Sequence, residues 1–432
     1  MQAVFESTSP GIVAAEKARY DFFRMAVSFS ITHGCTVTLL VYATSLLHEH
    51  AGLMGNGALY VTTFISALFL ATPTVQAIGL RGGLLAGVGL YAAYALFFFL
   101  SLLSGSKGPV GVQISLFLLG SVLGGLGAGV MWTAQGGYMT HTAAQITSLT
   151  GTPRSEVTTA LATNFAVIYL VSEMITRLGY SALQYMGMGV EAICLLYTIV
   201  SALSTVLLLT VSAADGSEKD EKRSDPTVKL LDVVKLWPDP KLWLLAPGNI
   251  TFGFSSAFIN GIFISRHVTP TLGEDSVGLL SAAIVLSAAV ASPVFGYMGN
   301  RWGRGCVVFI GATAFLVIPL LVGGSGDWGF GLVLFFVLQG IGRAVYESTN
   351  RAIFSDFFQD APEGAFANVT LQASISPAVC FFLSDKLQET TIFAMIIVSA
   401  VLTMVGYPLA CLMQGGAETR PLLRPGASQA TA

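Results

Sequence analysis

From Phe22 to Met413 the chain returns repeatedly to apolar stretches of about twenty residues, the length a helix needs to cross roughly 30 Å of hydrocarbon. No other feature restricts the fold as much. In lipid every backbone N–H and C=O must be bonded within the protein, so such stretches become helices rather than loops or open strands. Twelve spans are expected, near residues 22–47, 57–79, 83–104, 110–134, 157–178, 188–212, 242–265, 276–298, 304–324, 329–349, 364–384 and 390–413. Composition agrees: 53% of the 432 residues are hydrophobic and only 10% are charged. A soluble domain carries about 25% charged residues and could not cover its surface with so few. The 47 glycines suit helices that pack closely through small residues.

Several function classes fall away. A net charge of −3 with no basic stripe gives nucleic acid nothing to bind. The five cysteines, Cys35, Cys194, Cys306, Cys380 and Cys411, lie in or beside spans without CxxC or Cys/His spacing. No disulfide, metal site or cofactor is therefore expected. The segment MQAVFESTSPGIVAAEKARYDFF is polar and mixed in charge, which does not indicate a cleaved signal peptide. Nothing resembles a nucleotide loop or a nucleophile with a partnered base, so the chain is not expected to be an enzyme.

One long hydrophilic connection, within residues 213–241, separates two six-span units at 22–212 and 242–413, with tails at 1–21 and 414–432. Its second part, VKLLDVVKLW, reads either as a short interfacial helix or as more of a disordered linker. With both termini cytoplasmic, 16 of the 21 Lys and Arg residues fall on cytoplasmic segments and 3 on the opposite face. That bias sets the expected orientation. The remaining two, Arg177 and Arg343, lie inside spans.

The two units echo each other. Ala71, Pro73, Gly79, Arg81 and Gly83 align with Ala291, Pro293, Gly299, Arg301 and Gly303 at an offset of 220. GLGAGV (Gly125–Val130) lies over GIGRAV (Gly340–Val345) at an offset of 215, and ALATN over AFAN more weakly. Two parallel six-helix units joined by a cytoplasmic loop describe the major facilitator architecture: an all-α membrane protein with twelve transmembrane helices in two pseudo-symmetric bundles. Gly296, Asn300, Arg301, Gly303 and Arg304 resemble that superfamily's loop motif, in which glycines make the turn and arginines hold helix ends and carboxylates. Asn300 stands where the motif usually has Asp, so its charge latch is not expected in the usual form.

Four stretches carry a closer resemblance: GAGVMWTAQGGYMT (Gly127–Thr140), LWPDPKLWLLAPGNITFGFSSAFING (Leu236–Gly261), GIGRAVYESTNRAIF (Gly340–Phe354) and GAFANVTLQASI (Gly364–Ile375). They are similar to segments of the Unc-93-like family, often labelled ion-channel regulatory proteins, a branch of the major facilitator superfamily. The resemblance implies a transporter fold. It also implies that animal members are better known as accessory subunits or escorts of membrane proteins than as carriers, while others are linked to potassium handling. Where the family would have an acidic residue in span ten, this chain has Arg343.

Charged residues inside spans mark candidate sites. Arg343, Glu347 and Arg351 follow at four-residue spacing and share a slowly drifting stripe of one helix. The resemblance places span ten on the central cavity, so Arg343 and Glu347 are candidates for solute binding, Arg343 for an anionic group. The plain alternative is an ion-paired helix end reaching to the headgroups, which suits Arg351 best. Glu173 and Arg177 form a second such pair, expected to neutralise each other at the outer interface. His33, well inside span one, is a candidate proton relay or a buried hydrogen-bonding group. Trp132, Gln135 and Asn260 are candidates for cavity contacts or for packing.

Glu418, Leu422 and Leu423 have the form of an acidic dileucine sorting signal, which would direct the chain to endolysosomal or vacuolar membranes rather than the plasma membrane. Asn249 and Asn368 match the glycosylation pattern but lie in spans or on the cytoplasmic side, and are expected to be unmodified. The functional expectation is transport of a small solute or ion by alternating access within the bilayer. The alternative is a non-transporting accessory or escort that regulates a channel or receptor, with another membrane protein as partner.

Overall fold

The computed structural model describes residues 10–105, 108–213, 233–324, 326, 328–384 and 386–414. Among them, eleven helical stretches are long and apolar enough to cross a membrane. They are α1 (Pro10–Leu46), the bent stretch Glu49–Gly105, α4 (Val110–Thr150), α5 (Glu156–Tyr185), α6 (Val190–Leu208), α7 (Pro240–Leu272), α8 (Ser276–Trp302), α9 (Arg304–Val322), α10 (Gly329–Phe357), α11 (Gly364–Leu383) and α12 (Glu389–Met413). Glu49–Gly105 breaks at Gly79, whose φ of 74° and ψ of 167° belong to no helix, into α2 and α3. The chain therefore crosses twelve times, six in each half. The paired crossings put the central connection and the outer ends of α1 and α12 at one end of the molecule, the loop end, opposite a far end.

The turns follow from residue chemistry. Gly303, at φ 90°, turns the chain between α8 and α9, as Gly79 does between α2 and α3. Under the offset of 220 these positions are not partners, so the hinge sits four residues later in the second copy. At the start of α7 the Asp239 carboxylate caps the helix, accepting from the Lys241 N–H at 2.9 Å, with Pro240 in the first turn where no N–H is needed. α1 begins at Pro10 and α4 continues to Thr150, so both outrun their expected spans at the loop end, where water solvates polar helical residues. The central connection is described only from Val233, helical for its first residues. Half of the expected interfacial helix, residues 228–232, and residues 415–432 of the tail with Glu418, Leu422 and Leu423, lie outside the described residues.

Helix contacts repeat between the halves. A Cβ on Gly125 of α4 would lie 1.9 Å from Thr62 Oγ1 and 2.5 Å from the Leu59 carbonyl of α2. On its echo, Gly340 of α10, it would lie 1.9 Å from Ser287 Oγ and 2.4 Å from the Ile284 carbonyl of α8. Glycine is required at both because two backbones meet there. This is how helices associate where lipid removes any hydrophobic drive between them.

The buried core is distributed unevenly along the membrane normal. At the far end one cluster runs through both halves, joining Tyr42, Phe98 and Tyr180 to Phe258, Phe263, Phe335 and Ile396. Towards the loop end each half has its own: Phe22, Met25, Tyr91, Met131 and Leu161 in the first, Leu242, Phe354, Phe357 and Val369 in the second. Four hydrogen bonds between the halves follow the same division. Thr44 donates to the Gly261 carbonyl at 2.9 Å, the Gly278 N–H to Tyr42 Oη at 2.8 Å and Arg266 to Glu49 at 3.1 Å, while Ser181 donates to the Asp275 carbonyl. All lie towards the far end. The halves are sealed there, and packed separately at the loop end.

Candidate functional site

Between the halves, below that seal, lies a cavity of about 160 Å³. His33 of α1, Tyr60 of α2 and Tyr169, Glu173 and Arg177 of α5 line it from the first half. Ser256 and Asn260 of α7, Gln339, Arg343 and Glu347 of α10, and Pro377 of α11 line it from the second. α7 and α10 both widen here into π-helical turns, at Phe258–Val268 and Val345–Asn350. Such turns recur at functional sites because they redirect side chains within an otherwise regular helix.

Four of these side chains form one chain of alternating charge. Glu347 accepts from Arg343 Nε at 2.9 Å. The Arg343 Nη1 and Nη2 groups donate to Glu173 Oε1 and Oε2, each at 2.9 Å, a fork-on-fork pair between the halves. Glu173 Oε1 also accepts from Arg177 Nη2 at 2.7 Å, and Arg177 Nη1 donates to the Ser281 carbonyl of α8 at 3.1 Å. Side-chain exposure is 37% at Glu347, 11% at Arg343 and 2% at Glu173, so the chain starts where water reaches it from the loop end and runs into the closed interior. A lone charge so deep would cost several kcal/mol, on the order of the penalty for any desolvated ion; here every charge has an opposite neighbour.

Around this chain the polar groups are partly satisfied. His33 Nε2 and the Tyr169 hydroxyl are 2.8 Å apart, while His33 Nδ1 is buried without a partner. Asn260 donates to the Ser256 carbonyl at 3.0 Å, and its Oδ1 is likewise buried and unpartnered. Gln339 accepts from Ser255 at 2.5 Å and donates to Ser256 Oγ at 2.9 Å. Both side chains line the cavity, but these two atoms are turned into the packed interior. No group of three or more His, Cys, Asp or Glu suited to a metal occurs among the described residues.

The structure sorts the sequence candidates. Arg343, Glu347, His33 and Asn260 meet in the cavity. Trp132 does not line it: its ring packs edge-on against Phe29, His33 and Tyr169 at centroid distances of 4.8, 5.7 and 5.6 Å. Gln135 is buried beside it on α4. The loop motif lies apart, with Gly296, Asn300 and Arg301 exposed at the loop end. There Gly303 makes the turn and Arg304 reaches the Asp356 carboxylate at the end of α10, so that arginine finds its carboxylate on another helix despite Asn300. In the first half Arg81 donates to the Leu209 carbonyl, closing α6. Asn249 and Asn368 are 0% and 1% exposed, with their side chains hydrogen-bonded inside the bundle.

Glu173 and Arg177 depart from expectation. They are not an interfacial pair but lie 2% and 5% exposed at the centre of the charge chain. A signal was present. Glu precedes Arg in α5 and follows it in α10, and the two helices cross in opposite directions. Both pairs therefore place Glu nearer the loop end, and a stagger of one turn sets Arg343 against Glu173. Tyr169 and Gln339 carried no such signal, being ordinary residues of apolar helices.

Two halves of six crossing helices, sealed at one end around a polar cavity, define a multi-pass membrane protein of the transporter type. The Major Facilitator Superfamily model matches residues 245–427. The backbone is similar to that of the nucleoside transporter NupG, with a TM-score of 0.64 at 12% identity over 92% of this chain and 99% of that one; at that identity the likeness concerns the fold. The model for the ion channel regulatory protein UNC-93 matches residues 44–325, and the chain belongs to that family. Relatives include the protein unc-93 homolog A of Bos taurus, 27% identical over 78% of this chain and 81% of its own length. UNC93-like protein 3 of Arabidopsis thaliana is 26% identical over 82% and 78%.

Proposed function

We propose that the chain is a carrier working by alternating access, with the loop end cytoplasmic, and that its cargo is a small polar solute without net charge. The observation that carries this reading is the cavity itself: sealed at the far end by both halves, and reached from the loop end past Glu347. The four charges on its walls sum to zero and each is already paired, so an ionic cargo would have to break a buried ion pair to be held. An anion at Arg343, the role expected from sequence, would need to displace Glu173. The uncharged polar side chains of Ser256, Asn260 and Gln339 line the same space instead. The volume resembles the roughly 150 Å³ that accepts a benzene-sized guest in an engineered cavity. The excess of Lys and Arg on loop-end segments supports the orientation. For the membrane it serves, plasma or endolysosomal, the check is whether Leu422→Ala with Leu423→Ala redistributes the protein.

The test is uptake by purified protein in liposomes, comparing uncharged polar solutes, small organic anions and potassium, with and without a pH gradient. Saturable uptake of an uncharged solute, lost in Asn260→Ala, supports the reading. Uptake of anions or potassium alone refutes the cargo assignment. Absence of all flux favours the second reading, an accessory protein acting on another membrane protein. That reading draws on the description of the family, and on a charge network that could equally hold one fixed conformation. Copurification of a membrane partner would then be the decisive result.

A further inference from the structure

We propose that the four cavity charges form a reversible clasp between the halves, built so that opening leaves no unpaired charge. The inference rests on the alternating-access reading and specifies how the far end is released. In the closed state Arg343 joins Glu173 across the interface, with both oxygens engaged. Each of these residues also has an opposite charge one turn away on its own helix, Arg177 for Glu173 and Glu347 for Arg343. Parting the halves breaks the central fork and the Arg177 bond to the Ser281 carbonyl. The first half retains the neutral pair Glu173–Arg177, and the second retains Arg343–Glu347.

This arrangement differs from an ordinary buried salt bridge. Breaking a simple pair strands two charges in a low-dielectric interior, which holds the partners together permanently. Here the partners left behind are already bonded, so what opposes opening is the loss of one fork rather than the isolation of two ions. No proton and no charged cargo is needed to neutralise either half. The outer members, Arg177 and Glu347, therefore serve the open state, and the inner members serve the closed one.

The experiment measures far-end distances by pulsed electron resonance in nanodiscs, with spin labels at Met186, just beyond α5, and Phe330 of α10, which are 81% and 68% exposed. The unsubstituted protein is expected to show a short and a long population. Glu347→Gln keeps the closed fork but removes the partner that Arg343 needs once the halves part, so the long population should fall about tenfold, the effect of stranding one partly solvated charge. At 37% side-chain exposure this substitution is expected to leave the fold intact, which the melting temperature checks. Glu173→Arg with Arg343→Glu should remain closed, because each parted half would hold two like charges. Reversing Arg177 and Glu347 as well should restore opening. If Glu347→Gln or the double reversal opens as readily as the unsubstituted protein, the clasp is wrong while alternating access stands. An unsubstituted protein that never opens would overturn both.

Discussion

His33 shows how little freedom one side chain has at this site. Its ring lies among Phe29, Tyr91, Trp132 and Tyr169, with centroids 4.9 to 6.2 Å away, and the Tyr169 hydroxyl fixes Nε2. Tyr169→Phe removes that bond and leaves a buried nitrogen unmet, which should lower stability by about 1 kcal/mol, as for other polar contacts between membrane helices. Unfolding by denaturant in detergent would measure it, and under the proposed function uptake should weaken because the ring lining the cavity is no longer held in one orientation. Trp132→Leu should give a similar loss without altering cargo preference, since the indole supports His33 and does not line the cavity. A change of preference in that variant would place Trp132 on the solute path.

Helix approach at the glycine echoes sets the spacing of each half. Gly340→Ala would press a methyl group against the Ile284 carbonyl, which cannot move away as the Ser287 hydroxyl can, and should cost about 1–3 kcal/mol. Gly136→Ala has nothing within 4 Å of the new Cβ and should be neutral. The two melting temperatures, compared in one detergent, decide the point. Elements of this kind were legible in the sequence, because hydropathy marks a crossing and a repeated glycine marks a close contact. The bend at Gly79 was legible as a loop but not as the hinge, since several glycines there could all have turned the chain. The pairing of α5 with α10 was not legible from either helix alone. A charge inside a span shows that a partner exists, and only the stagger of two helices shows which one.

Across the whole molecule, the seal at the far end and the divided cores at the loop end describe a bundle closed at one end, which the proposed alternating access takes as one of two states. Asn260→Cys should react with a membrane-impermeant thiol reagent supplied at the loop end and resist it at the other, and equal labelling from both sides would contradict the closed far end. The clasp also breaks the internal repeat. At an offset of 215 the counterparts of Arg343 and Glu347 are Ala128 and Trp132, and at the offset of 204 set by Asn164 and Asn368 those of Glu173 and Arg177 are Pro377 and Phe381. A duplicated chain could have carried the device twice, once on each diagonal, and so favoured neither direction. Having it once would give the molecule, under the proposed alternation, a rest position. If the halves alternate as proposed, the opposite state would have no counterpart fork at these repeat positions, so cargo or a bound partner would lengthen its stay and the clasp would draw the halves back.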